Sequence, residues 1–440
     1  MAGRLRQAFD LRANVRDVLL RPAQRLPMID GIRALSILYV MVFHSLIVLV
    51  VLLPGDGTGQ FRAFLQQTPW YWQWVPLGDR SVDVFFVISG LLIGQILFRE
   101  YRSSGSIDLK RFFVRRWLRL TPVYWLVIAV FALAAGPSLV EAMVQEKAMA
   151  RSDALAVFWS SMAAYALYLN NFLPYEQSYY LPFAWSLAVE EQFYILFSLF
   201  VAVAWRRLKR PMRVLLGLFV LSFVVRAWLF YRHPYLLVNG DELLASAGGA
   251  GGISAAYREI IYDNLYSRFG ALVLGIMLAW LSVYYRDALV RWFTPRRSQL
   301  VLLAALALML LMSVLPVFTA EDKPLWMVAS FHIAHRNLFS LGVALLILVL
   351  LQPQAGGALV NRLLAWRGWY PVAQLSYAMY LVHVPLLVLC AGGLQQIGLL
   401  HGLDYRQVLL LTLLSLPPVL LFSLLVFVLV ERPFMKLRRP

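Results

Sequence analysis

The sequence predicts an all-α protein, a polytopic transmembrane bundle of about ten spans. Three observations predict it. Of the 440 residues, 61% are hydrophobic, and the mean hydropathy is +0.69, too apolar for a soluble fold to cover with polar surface. The apolar residues recur in runs near twenty residues long, the length of helix that crosses a hydrocarbon core, and the runs do not alternate as transmembrane β-strands do. The net charge of +17 comes from Lys and Arg gathered in short segments between the runs, which is the pattern of cytoplasmic membrane loops and needs no nucleic-acid partner. No shift in composition sets off a soluble domain.

The elements follow in order. Residues 1–28 read as a cytoplasmic basic arm. The first thirty residues hold six arginines and no apolar signal-peptide core, so no cleavage is expected. Leu5, Phe9, Leu11, Val15, Val18 and Leu19 have helical spacing with arginine between them. Such a segment lies on an anionic inner leaflet, or it is a solvated arm that only fixes topology; both readings stay open. A single membrane domain, 29–434, is expected to follow, then a basic tail, 435–440. Spans are expected near 33–53, 82–98, 122–137, 185–204, 212–231, 263–284, 299–318, 331–351, 371–395 and 407–430.

One more apolar stretch, 155–172, is long enough to cross, and charge decides against it. If it stays on the outer side and the N-terminus is cytoplasmic, the segments 1–33, 99–121, 205–213, 285–298, 352–370 and 431–440 face the cytoplasm and hold 29 of the 40 Lys and Arg. The opposite loops hold 8, and Arg226, Arg268 and Arg336 fall within spans. A crossing would flip every later loop and scramble that bias. The stretch is therefore expected to be a hemi-spanning or interfacial helix, ended by Asn170, Asn171 and Pro174, with both termini cytoplasmic. The Gly-rich run 246–252 lies between two spans rather than between strand and helix, and reads as a linker rather than a phosphate cradle. Cys390 is the only cysteine and reads as a packing residue in an apolar run.

Five stretches carry residues with chemistry. In the first span, Asp30 and Arg33 sit at the inner end, and His44 lies about 16 Å further along the helix, on the same face as Arg33. A neutral imidazole held in the bilayer can take a proton from a hydroxyl, or it can hold helices together by a hydrogen bond. In the second, Asp83 stands at the outer entrance, and Ser89, Gly90 and Gly94 allow close approach of another helix or a ligand. In the third, Arg115, Arg116 and Arg119 stand at the cytoplasmic mouth. Arg116 and Arg119 share a face and suit a phosphorylated ligand such as a nucleotide or coenzyme A, or a purely topological anchor. In the fourth, Ser186 lies one turn before Glu190, with Glu191 beside it; two carboxylates near hydrocarbon need partners or a polar cavity. In the fifth, Ser376, Tyr380 and His383 line one helical face. His332 and His335 have HxxH spacing but no third ligand, so no metal site is expected.

Together these stretches resemble the acyltransferase 3 family of bacterial membrane O-acyltransferases. The matching residues are Ile29-Asp30-Gly31-Ile32-Arg33-Ala34 with His44; Asp83-Val84-Phe85-Phe86-Val87-Ile88-Ser89-Gly90-Leu91-Leu92-Ile93; Phe112 through Arg115, Arg116, Arg119 and Pro122 to Tyr124-Trp125; Trp185-Ser186-Leu187 with Glu190 and Gln192-Phe193-Tyr194; Leu375-Ser376-Tyr377 with Tyr380-Leu381, His383 and Pro385; and Glu431-Arg432-Pro433. Any one motif is weak, but six in order along the chain are specific. Ser36, Val382 and Val384 depart from the family's usual residues without touching the chemistry. Some relatives carry an extracytoplasmic hydrolase-like domain. This sequence runs nine residues past Glu431, and no such domain is expected.

The resemblance implies a multi-pass protein of the bacterial inner membrane. It implies transfer of an acyl group, acetyl first and succinyl second, from acyl-CoA to a hydroxyl of a glycan or glycolipid. Acyl-CoA is then a co-substrate, and no permanently bound cofactor is expected. His44 takes the role of base, with Glu190 favoured over Glu191. Arg33, Arg116, Arg119, Ser89 and Gly90 bind the donor. Trp185 and Glu190, on the outer side, position the acceptor, and Asp83, Ser186, Tyr380 and His383 bind acceptor or hold structure. The rival class is a glycan or acyl-group transporter or flippase. The motif series and the lack of an internal repeat argue against it.

Overall fold

The computed structural model describes residues 7–22, 26–52, 57–178, 180–239, 242–243, 253–314, 324–352 and 357–437. Among them, ten helices are long and apolar enough to cross a membrane, one at each expected span. A short amphipathic helix, α1 (Leu11–Leu19), precedes α2 (Pro27–Val51), α3 (Ser81–Ser104) and α4 (Leu109–Ala134). Then come α5 (Arg151–Ala166), α6 (Ala184–Val203), α7 (Pro211–Arg232) and α8 (Leu265–Tyr284). The last four are α9 (Pro295–Val314), α10 (Leu325–Leu350), α11 (Trp369–Gln396) and α12 (Tyr405–Val426). The Gly-rich run 246–252 and the end of the basic tail, 438–440, lie outside the described residues.

Local chemistry sets the boundaries. Proline occupies the first helical position of α2 and α7, where a missing N–H costs nothing. The Asp108 side chain accepts from the Arg111 N–H at 2.9 Å to open α4. Gly105 ends α3 in the left-handed region, at φ +70°. The helix α5 has 16 residues, a length of about 24 Å against the ~30 Å of a hydrocarbon core. It falls short of crossing, as charge required.

The bundle has two halves. In one, α3 and α8 are pressed together where glycine faces glycine. A Cβ on Gly90 would lie 2.1 Å from the Leu272 carbonyl oxygen, and one on Gly275 would lie 2.2 Å from that of Val87. The small pair Gly90 and Gly94 is thus met by a helix rather than by a ligand. Gly90→Val forces backbone against backbone, and overpacking of this kind costs about 1–3 kcal/mol. The expected result is a lowered melting temperature in detergent. Gly217→Ala, with nothing within 4 Å of its added methyl, is the neutral control.

In the other half, α2 packs on α11 and α12. The arm is part of this half rather than a solvated extension. The Asn14 side chain donates to the Val428 carbonyl at 3.1 Å, Arg432 donates to Asp17 at 2.8 Å, and Tyr370 donates to the Asp17 carbonyl at 3.1 Å. Leu11, Val15 and Leu19 point away from these contacts and are exposed. Two cavities lie along the seam between the halves.

Candidate active site

The seam brings together two histidines that are 339 residues apart. His383 of α11 places its Nε2 3.2 Å from Nδ1 of His44 on α2. The hydrogens follow from the partners. Nδ1 of His383 lies 2.8 Å from the Tyr380 carbonyl and 3.1 Å from that of Met379. Carbonyl oxygens only accept, so this nitrogen carries the hydrogen and Nε2 the lone pair. Nδ1 of His44 then faces two acceptors, that lone pair and the Val40 carbonyl at 3.0 Å, and it too must carry hydrogen. The basic site of His44 is left on Nε2. The residue that orients His44 comes from another span, α11. Asp30, at the far end of α2, pairs with Arg21 at 3.2 Å instead.

His44 lines the larger cavity, of about 320 Å³. Trp185, Phe183 and Tyr380 form one wall of it. A π-helical turn, Arg258–Tyr262, presents its first and last side chains to another, and α10 contributes His335 and Arg336. Behind this surface lies a buried ion network. Arg336 donates to Asp83 at 2.9 Å and also to Asp79, and Arg268 reaches Asp83 at 3.1 Å. Tyr262 donates to Asp79 at 3.0 Å, and the Arg336 guanidinium lies 4.7 Å from the Tyr262 ring centre. Charges this deep persist only when paired, and pairing fixes the side chains that face the cavity. His332 is tied down by the Val238 carbonyl at 2.8 Å.

The smaller cavity, of about 100 Å³, is lined by Arg33, Arg116, Arg119, Ser89 and Glu190 among others. Arg116 stacks on the Tyr194 ring at 4.0 Å and stands 3.7 Å from the Glu190 carboxylate. Ser89 donates to the same carboxylate, and Arg33 donates to Ser376 at 2.8 Å. This is a cationic chamber with one carboxylate, a chemistry suited to phosphate oxygens.

The site residues read from sequence fall into three groups. His44, Trp185 and Tyr380 meet at the large cavity. Arg33, Arg116, Arg119, Ser89, Ser186, Glu190 and Tyr380 line the small one. Glu190 therefore sits with the arginines and not beside Trp185 at the large cavity, because it lies about one and a half turns further along α6. Glu191 lines neither cavity. Three residues stand behind the walls, one of them His383, which sits behind His44. Gly90 is occupied by the α3–α8 contact, and Asp83 is buried in the ion network. Arg33 and His44, although on one face of α2, open into different chambers.

Sequence reasoning missed Asp79, Arg258, Tyr262, His335 and Arg336. A signal existed for Arg336, since it was one of three arginines left inside spans, and an intramembrane charge points to a partner or a site. His335, also on α10, had been weighed only as half of an HxxH pair, and the others sit in loops or turns whose place beside His44 is a tertiary fact.

A family model described as an acyltransferase domain matches residues 26–432. The peptidoglycan O-acetyltransferase OatA of Listeria monocytogenes is 26% identical over 380 residues, covering 84% of this chain and 50% of that protein. The O-acetyltransferase OatA of Staphylococcus aureus is 26% identical over 372 residues, covering 82% of this chain and 51% of its own length. The chain thus spans about half the length of the curated relatives it matches. No solved structure matches it significantly.

Proposed function

The chain belongs to the acyltransferase domain family, and from that premise we propose that it is an O-acyltransferase of the bacterial inner membrane, moving an acetyl group from acetyl-CoA to a hydroxyl of a cell-surface or secreted glycan. The observation that carries this reading is the imidazole pair, which leaves an unprotonated Nε2 on His44 at the wall of a cavity large enough for a sugar ring. The acetyl preference draws on the names of both relatives, and the glycan acceptor on that of the Listeria monocytogenes protein; the CoA donor draws on the arginine chamber.

In this reading both termini and the arginine mouth face the cytoplasm. The CoA phosphates sit against Arg116 and Arg119, with Arg33 behind them. Nε2 of His44 removes the proton from the acceptor hydroxyl as its oxygen attacks the thioester carbonyl. The tetrahedral intermediate collapses, the carbon–sulfur bond breaks, and the proton on His44 passes to the departing CoA thiolate. His44 ends as it began. His383 touches no substrate; it holds the His44 ring and its tautomer. Ser89 is engaged with Glu190, so the oxyanion needs another donor or a moved serine.

The test is the purified protein in lipid nanodiscs with acetyl-CoA and an envelope glycan. One ester formed per free CoA released is the expected result. Movement of intact glycan across vesicles with no ester formed would replace this reading with the flippase. Within the assay, Arg116→Gln should raise the acetyl-CoA KM about tenfold, the worth of one charge-assisted contact, with a smaller change in kcat.

A further inference from the structure

The two cavities meet at two side chains. Tyr380 and Val82 line both, and the Tyr380 ring stands between the arginine chamber and His44. Its hydroxyl is 2.6 Å from the Ser186 hydroxyl and donates to the Phe183 carbonyl at 3.1 Å. Ser186 reaches the same carbonyl at 3.1 Å, so the two hydroxyls form a latch on one α6 terminus. Phe85 and Phe183 hold the ring edge-on, with centres 6.4 and 6.0 Å away.

The backbone beneath the ring is the weak point of α11. Pro385 lies inside the helix and has no N–H, so the Leu381 carbonyl, one residue after Tyr380, has no helical donor. Local weakness of this kind allows a turn to flex without unfolding the helix. The Tyr380 carbonyl is also the acceptor that fixes Nδ1 of His383. Motion at Tyr380 therefore reaches the imidazole pair.

We propose that Tyr380 is a gate between a donor chamber and an acceptor chamber, latched by Ser186 and opened by the arriving acyl-pantetheine arm. The proposal rests on the reading above in which the donor is held at the arginines. A thioester anchored there cannot reach His44 past the latched ring. When the ring swings aside the chambers become one, and the carbonyl comes within reach of the base. When it swings back, water in the acceptor chamber is kept from the thioester. Tyr380 is thus a positioning residue for the reaction rather than a participant in bond making.

The test reads the barrier directly. In a Cys390→Ala background, Leu92→Cys reports on the arginine chamber and Ile47→Cys on the His44 chamber, both positions being cavity-lining. A charged methanethiosulfonate reagent is added to vesicles from the face at which position 92 labels. With Tyr380 present, position 47 should stay protected. Tyr380→Phe, which removes the latch and keeps the ring, should raise its labelling rate several-fold, and Tyr380→Ala more than tenfold. Equal labelling of position 47 with Tyr380, Phe or Ala overturns the gate, and the Phe variant alone decides it if the Ala variant does not fold. The second readout is acetyl-CoA hydrolysis without acceptor, expected to rise several-fold in Tyr380→Phe while ester formation falls. Gated labelling in a protein that never turns over acetyl-CoA would refute the donor reading and leave the barrier standing. Turnover with ungated labelling would do the reverse.

Discussion

His44→Ala lowers acyl transfer by about 10²–10⁴-fold, the usual contribution of a positioned acid–base group, while the protein inserts and folds as before. The expectation of normal folding has a structural reason. His44 is only half-buried at the cavity wall, and its ring contacts are Phe43 and His383. The loss should fall on kcat and on kcat/KM alike, since the base acts in the transition state and not in binding. His383→Ala should cost less, about 10–100-fold, as removal of an orienting partner does. The Val40 carbonyl still holds Nδ1 of His44 in that variant, so the tautomer survives and only the ring's position is loosened. Equal losses from the two variants would mean that His383 has a chemical role of its own.

The second large effect is on stability. Arg336→Met takes a cation from two buried carboxylates, because Arg336 is the shared partner of Asp79 and Asp83. Breaking a buried pair by removing one member costs about 3–5 kcal/mol. The variant should be lost as a folded species in detergent, or melt far below the parent. Asp83 keeps Arg268, so Asp79 is the more exposed casualty. Adding Asp79→Asn to Arg336→Met should recover part of the loss, since an amide in that place carries no charge to strand. A single variant as stable as the parent would show that the network is solvated in the membrane and not the dry scaffold described here.

Much of the fold was legible in the sequence because hydrocarbon imposes a length and a polarity on each helix. Every expected span has its helix, and the basic loops alone ruled out a crossing at α5. Motif order also drew attention to residues that line the cavities, with His44, Trp185 and Tyr380 at one and Arg33, Arg116 and Arg119 at the other. What could not be read was pairing between distant helices. Spacing along α2 put Arg33 and His44 on one face, yet a tyrosine from α11 divides that face into two chambers. The resemblance grouped Glu190 with Trp185, yet α6 carries Glu190 to the arginine chamber. The small residues of α3 were ambiguous between ligand and helix until Gly275 was found opposite Gly90. The pair of His44 with His383 depends on the packing of α2 against α11, which no local pattern encodes.

The central claim is that Nε2 of His44 accepts the acceptor's proton in an acyl transfer to envelope glycan. The most direct measurement is the mass of that glycan from a deletion strain carrying the wild-type chain or His44→Ala, with both proteins matched for membrane abundance. The account predicts that the acyl mass increment is missing in the deletion strain, restored by the wild type and absent with His44→Ala. Full restoration of the increment by His44→Ala would contradict it.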